Sequence, residues 1–170
     1  NAAHDSICGC SIDAVHREMV PRFAQVEQIG AELVARSLQA VADQVTLPAA
    51  QAQDAALGLV VFNSLNWERT DPVRATLVFP LGLPTRGSPP RDDSLRVGGF
   101  TLCDERGTEI PFAVNDDSVE MRQVLSPVEL PLDQWVQQIE IEFIAADVPA
   151  CGYKAYRITP RADMPVYDLW

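Results

Sequence analysis

The sequence predicts an α+β protein in which one long N-terminal helix is followed by an antiparallel β-sandwich domain. Two observations favour this fold class. Apolar residues recur every seven positions in the first part of the chain, as on one face of a long helix. From Leu57 onward the apolar period changes to two, and about seven short strand patterns are separated by turn residues, which is typical of a sandwich.

The helical pattern runs from Ser11 to about Val45, with Ser11 as the predicted N-cap. Pro21 lacks a backbone donor and is predicted to bend the helix, which would be roughly 50 Å long. One helix cannot bury its own apolar stripe. We therefore expect partner helices from upstream chain, as in a bundle, or a second copy of the chain. The stripe consists of Ile12, Met19, Val26, Leu33 and Ala40, widened by Val15, Phe23, Ile29 and Val41.

The strand patterns place a predicted hairpin turn at Asp104–Gly107 and a predicted mobile loop at Pro80–Ser94. The predicted strands are Leu59–Phe62, Val73–Phe79, Leu95–Cys103, Glu109–Val114, Val119–Leu125, Gln138–Phe143 and Tyr153–Ile158. The predicted domain organisation is a helical-bundle part at residues 1–47, a linker at 48–56, the sandwich at 57–162, and a cut end or the start of a next segment at 163–170.

Composition and charge exclude some classes of function. The net charge of −11 argues against a nucleic-acid surface, which needs clustered Lys and Arg. The sequence contains no run of 18 or more apolar residues, so we expect no membrane span. The first residue is not Met and no signal peptide follows, so we interpret residue 1 as a cut inside a longer protein. Cys8 and Cys10 are too close to pair comfortably, which favours a reducing, cytoplasmic setting.

The first sixteen residues hold both histidines and two of the four cysteines. His4, Cys8, Cys10 and His16 are the ligand types of a structural zinc site, but their spacing matches known zinc modules poorly. Inert cysteines and a His16 on the helix surface are the favoured interpretation. His4 and Asp5 before a helix start are more suggestive, because imidazole is a common metal ligand and a neighbouring carboxylate can bind a sugar hydroxyl or orient the ligands.

Three separated motifs resemble α-mannosidases of glycoside hydrolase family 38, in the order found in that family. The run His4–Ser11 (HDSICGCS), continuing through Val15–Met19 and Arg22-Phe23, resembles the His-Asp-x-Ile-x-Gly motif that opens a helix of the central bundle. The run Val60–Thr70 (VVFNSLNWERT) resembles the entry into the family's β-sandwich region. The run Val148–Tyr156 (VPACGYKAY) resembles the strand that closes its first β domain.

The resemblance implies roles for two residues. His4 matches a histidine that completes the family's zinc site, and Asp5 matches the neighbouring carboxylate that contacts the bound mannose. Asn63 and Trp67 match positions that we interpret as structural, and Cys8 and Cys10 match packing positions.

The resemblance also implies that the catalytic groups lie elsewhere. Retaining hydrolysis of α-mannosides needs a carboxylate nucleophile and a carboxylic acid about 5 Å apart. In the family, the nucleophile and the other zinc ligands belong to an upstream catalytic domain. Asp116, Asp117, Glu140 and Glu142 are expected in turns or on solvated strand faces. We therefore expect the isolated chain to be inactive, with its parent's missing catalytic domain as its natural partner.

Two alternatives remain open at the sequence level. The chain could be a non-catalytic carbohydrate-binding or interaction module with a helical oligomerisation arm. Trp67, Trp135 and Trp170 are too scattered along the chain to favour it. A small Cys/His metal module would instead bind zinc on its own.

Overall fold

The computed structural model describes residues 9–46, 57–82, 95–125, 128, 130–165 and 167. The chain divides into two compact units, Asn1–Thr46 and Leu47–Trp170. The predicted linker at 48–56 lies outside the described residues, as does most of the predicted mobile loop. The predicted domain boundaries therefore stay predictions.

The first unit contains helix α1, which spans Asp13–Ala42 and continues through Pro21. The predicted N-cap is wrong by one residue. Ile12 occupies that position, and its carbonyl oxygen accepts the first helical bonds from the amides of Val15 (3.0 Å) and His16 (3.3 Å). Ile12 has no side-chain acceptor, so the free amides of the first turn gain no side-chain cap from it. At the other end, the amide of Asp43 bonds to the carbonyl of Gln39 at 2.8 Å, about two residues before the predicted end.

Most of the predicted apolar stripe on α1 is exposed. Val26 is 69% exposed and Leu33 is 60% exposed, whereas Met19 is buried. Seven-residue spacing places these side chains on one face of the helix, as predicted. No helix among the described residues is both long and apolar enough to cross a membrane.

The second unit is a sandwich of two antiparallel three-stranded sheets, which confirms the predicted fold class. Strand order is β1-β6-β3 in the first sheet and β2-β5-β4 in the second. The strands are β1 (Leu57–Asn63), β2 (Arg69–Pro80), β3 (Gly99–Asp104), β4 (Phe112–Val124), β5 (Leu132–Val148) and β6 (Gly152–Arg161).

The core lies between the two sheets and is built from alternate residues of each strand. Ile139, Ile141 and Phe143 point inward from β5, where the period of two was clearest in the sequence. Across the core, the ring of Phe100 stacks on that of Phe112 with centroids 4.7 Å apart. Burying such aromatic rings contributes a large share of the hydrophobic stabilisation of a domain this small.

Two strand predictions are wrong in ways that have a structural cause. Glu109–Val114 and Val119–Leu125 are not two strands. Half of the first range and all but the last residue of the second fall in the single strand β4, whose register shifts between Val114 and Asp116. A bulge of this kind breaks the alternation of apolar residues without ending the strand.

The predicted turn at Asp104–Gly107 forms, with the amide of Gly107 bonded to the carbonyl of Asp104 at 3.0 Å. However, β3 pairs with β6 and β4 pairs with β5, so the turn leads from one sheet to the other. The hairpin pairing at this turn is short: it consists of the bridge between Cys103 and Glu109 and the backbone bonds from Asp104 to Thr108 (2.9 Å) and from Ile110 to Leu102 (2.7 Å).

Residues 162–165 and 167 pack onto the sandwich beyond β6. A Cβ atom on Gly99 would lie 2.1 Å from the carbonyl of Asp163, so only glycine allows this close approach. Tyr167 then packs edge-on against Phe112 and donates a 2.8 Å hydrogen bond to Glu109. This segment therefore adds Met164 and Tyr167 to the edge of the core.

Candidate functional site

The predicted site residues His4 and Asp5 lie outside the described residues, and so does Cys8. Of the same N-terminal cluster, the structure describes Cys10, which is exposed, and His16, which is half-buried in the second turn of α1. Gly9 has a φ of +81°, a left-handed conformation that suits glycine just before the helix begins. The roles of His4 and Asp5 stay predictions.

The described residues do not by themselves fit a zinc ion. No group of three or more His, Cys, Asp or Glu side chains comes together in the part of the chain that the structure describes. A catalytic zinc needs at least three protein ligands. The described residues alone therefore offer no complete set of ligands for a catalytic zinc.

Four acidic residues of the sandwich that were considered in the sequence, Asp116, Asp117, Glu140 and Glu142, lie on strands β4 and β5. Asp116 and Asp117 lie in β4 and not in a turn, opposite Glu140 and Ile139 of β5. Glu142 accepts a 2.7 Å hydrogen bond from Arg74, which lowers the pKa of Glu142. A general acid needs the opposite, a raised pKa, so the environment of Glu142 does not suit that role.

Buried Tyr156 and half-buried Tyr167 are also unsuited to acid–base work near neutral pH. Burial, reinforced by Asp104, Glu105 and Asp147, raises the pKa of Tyr156 to about 12. Burial and the hydrogen bond to Glu109 raise the pKa of Tyr167. Both phenols therefore stay neutral and act as packing groups.

The best-organised polar site in the sandwich is centred on Asn63, which is 5% exposed at the end of β1. Its Nδ2 atom lies 2.7 Å from the carbonyl oxygen of Trp67, 3.0 Å from that of Pro149 and 3.2 Å from that of Val148. Its Oδ1 atom accepts a 3.0 Å bond from the amide of Leu65. One side chain thus contacts four backbone groups of two loops, with its two N–H donors shared among three carbonyl oxygens.

A second contact joins the same two loops, because the amide of Cys151 donates a 2.7 Å bond to the carbonyl of Leu65. Asp147 and Cys151 both have positive φ, which marks the tight path of the chain from β5 into β6. The structural role predicted for Asn63 is confirmed. The two motifs that seemed separate in the sequence, 60–70 and 148–156, meet at this point.

Gln137 is a buried polar residue that the sequence analysis missed. It is 1% exposed; its Oε1 atom accepts a 2.8 Å bond from the amide of Val97, and its Nε2 atom donates to Asp117 at 3.0 Å. Asp117 in turn pairs with Arg96 at 2.8 Å. The signal was available, because Gln137 continues the inward alternation of Ile139 and Ile141 by one step.

Comparison with known proteins gives matches in sequence and in structure. A protein of Halalkalibacterium halodurans named "Putative mannosylglycerate hydrolase" is 53% identical over 45 residues, which are 26% of this chain and 5% of that protein. An α-mannosidase from Enterococcus faecalis V583 superposes on 96% of this chain with a TM-score of 0.71 and 18% identity. No protein-family model matches the chain.

A second structure, a protein in glycosyl hydrolase family 38 from Enterococcus faecalis, superposes on 97% of the chain with a TM-score of 0.66 and 19% identity. The chain spans 19% of each of these two structures. The resemblance indicated by the three motifs is confirmed at the level of the fold: the chain has the fold of a segment of family 38 α-mannosidases.

Proposed function

We propose that the chain is an internal segment of a zinc-dependent, retaining α-mannosidase of glycoside hydrolase family 38. The observation that carries the proposal is the superposition of 96% of the chain on an α-mannosidase. The order of the three sequence motifs supports it independently. The parent would hydrolyse α-mannosidic bonds in oligosaccharides or glycans.

In this proposal His4 supplies one zinc ligand and Asp5 accepts a hydrogen bond from a hydroxyl of the bound mannose. A neutral imidazole and a carboxylate are suited to these two roles. The nucleophile, the acid and the other zinc ligands belong to the parent outside residues 1–170. The chain alone is therefore inactive in this proposal. We further propose that the parent is cytoplasmic and binds neither nucleic acid nor a membrane.

Helix α1 then belongs to the helical bundle of the parent. Its exposed side chains, such as Val26 and Leu33, pack against helices outside this chain. Burying a Leu or Val side chain fully is worth about 1.5–3 kcal/mol, so leaving this whole stripe in water would be costly. In the isolated chain the same long stripe could pair with a second copy, against the repulsion between two chains of net charge −11.

The match to the Halalkalibacterium protein favours one substrate among α-mannosides. We propose mannosylglycerate as a candidate, because 45 residues of the chain are 53% identical to that named hydrolase. Hydrolysis of mannosylglycerate at a higher kcat/KM than p-nitrophenyl α-mannoside would support it. Hydrolysis of the aryl mannoside alone would overturn the choice of substrate and leave the enzyme class intact.

The enzyme class is tested with two polypeptides, the chain itself and one extended at its N-terminus through the proposed catalytic domain. The proposal predicts α-mannosidase activity in the longer polypeptide only, with retention of anomeric configuration by NMR of the first product. Activity in the chain alone would contradict the proposed location of the catalytic groups. A folded longer polypeptide without activity would favour a non-catalytic sandwich module.

A further inference from the structure

Among the described residues the sandwich has four edge strands, because β6 and β5 are the central strands of the two sheets. An exposed edge offers unpaired backbone groups to any other strand, and proteins protect such edges with charges, prolines, bulges or added pairing. Edges that differ in this protection therefore differ in what they are able to bind.

Three of the four edges are protected. β2 carries Pro72 and Pro80 and a register shift between Arg69 and Asp71. β4 has its own register shift and a charged exposed surface. The edge of β3 is partly paired, since the amide of Ile110 bonds to the carbonyl of Leu102 at 2.7 Å.

Strand β1 has none of these features. Its seven residues, Leu57–Asn63, include no charged residue and no proline, and its pairing with β6 runs without a register shift. On the side away from β6, β1 pairs with no other strand of the described chain. Its sequence is apolar from Leu59 to Phe62, which is typical of a covered strand.

A cleft lies beside this edge, between β1 and β2. Its volume is about 180 Å³, and apolar lining comes from Val61, Val73, Ala145 and Val148. At its rim, Arg69 and Asp71 form an ion pair of 2.6 Å, so these two charges are mutually compensated. The cleft is smaller than typical pockets for small ligands, but an aliphatic side chain suits its size and lining.

We propose that β1 accepts an added antiparallel or parallel strand whose inward side chain enters this cleft. The occupant is an extended apolar segment of the parent polypeptide outside residues 1–170, so its source rests on the proposed function. The chain spans only 19% of the matched structures, which leaves ample chain to supply a strand. A second copy is disfavoured, because two chains of net charge −11 repel each other. Backbone hydrogen bonds supply affinity in such strand addition, and the cleft supplies specificity.

The acceptor edge is tested on the chain alone with the acetylated peptide Lys-Thr-Val-Thr-Val-Thr-Val-Lys. We expect it to slow hydrogen exchange of alternate β1 amides by about tenfold, with no change at the β2 edge. A control peptide with proline in place of two valines keeps the charge but lacks two donors, and should not protect β1. Absence of protection, or equal protection of β1 and β2, would overturn the proposal.

Two variants locate the binding. Val61→Lys places a charge at the cleft and should abolish protection by the peptide, whereas Thr76→Lys on the exposed surface of β2 should not change it. Far-UV circular dichroism checks that both variants fold. If Val61→Lys does not fold, the proline peptide decides the question without any change to the protein.

The source of the strand is tested by comparing the chain with the whole parent polypeptide, which includes the segments on both sides of residues 1–170. We expect the alternate amides of β1 to be as protected as those of β6 in the whole parent, and to exchange faster in the chain alone. Fast exchange in both would overturn the proposed source, and so would protection that rises with concentration of the chain alone. None of these readouts depends on mannosidase activity, so failure of the enzyme proposal is recognised separately.

Discussion

The helix and the sandwich of this chain place their apolar side chains in opposite environments. In the sandwich, the inward residues of both sheets meet, and Phe100, Ile139 and Ile141 are fully buried. In the helix, residues with an equally regular apolar spacing are exposed, as at Phe23 and Val26. Regular spacing therefore predicts an apolar face that is suited to burial, but it does not tell whether this chain buries that face.

This difference between buried apolar side chains in the sandwich and exposed ones in the helix is tested most strongly by truncating one phenylalanine in each region. Phe100→Ala removes a stacked, fully buried ring and should lower the free energy of unfolding of the sandwich by about 3–5 kcal/mol. Phe23→Ala, at a half-exposed helix position, should change it by less than about 0.5 kcal/mol. Urea denaturation monitored by tryptophan fluorescence measures both, and similar losses for the two variants would refute the distinction.

The Asn63 site is expected to give the next largest effect. Asn63→Ala would leave the amide of Leu65 and the carbonyls of Val148 and Pro149 without their partner. We expect a loss of about 2–4 kcal/mol of unfolding free energy, since each unsatisfied buried group costs about 1–3 kcal/mol. Asn66→Ala, three residues away and exposed, is the matched control and should be near neutral. A nearly unchanged free energy of unfolding for Asn63→Ala would show that water replaces the hydrogen bonds of the side chain.

The smallest effect is expected for the exposed pair of Arg74 and Glu142. The pKa of Glu142 is lowered in the folded state by the hydrogen bond and the charge of Arg74. The pair therefore stabilises the fold above the unfolded pKa of Glu, and this contribution is lost as the pH falls through the lower, folded pKa. Glu142→Gln should be slightly less stable than the natural chain at neutral pH and equal to it in strong acid. Glu68→Gln is the control, and a pH-independent difference for Glu142→Gln would contradict the assignment.

Much of the sandwich could be predicted because the signal is local. The period of two in Gln138–Phe143 identifies the centre of β5, but the strand extends over Leu132–Val148. Its first part was missed because Gln137 is polar and faces inward, a position that only its hydrogen bonds to Val97 and Asp117 make acceptable. Pairing partners could not be predicted locally. The predicted turn at Asp104–Gly107 forms with a short hairpin, but the strands on its two sides pair mainly with β6 and β5.

The polar site at Asn63 could be predicted only in part from the sequence. Asn63 was singled out by its motif, but its partners at Val148 and Pro149 lie 85 and 86 residues away in the sequence. No periodicity or spacing relates such distant groups. His4 and Asp5 were assigned by resemblance alone, and their roles stay predictions because both lie outside the described residues.

The most direct test of the account is the zinc content of the longer polypeptide when one histidine is removed. We predict about one zinc per molecule for the natural sequence and for His16→Ala, and loss of both zinc and mannosidase activity for His4→Ala. His16 is the matched control, because it is the other histidine of this chain. Full zinc content and turnover in His4→Ala would contradict the assignment of His4. Zinc bound by the chain alone and lost in His16→Ala would instead establish the Cys/His site.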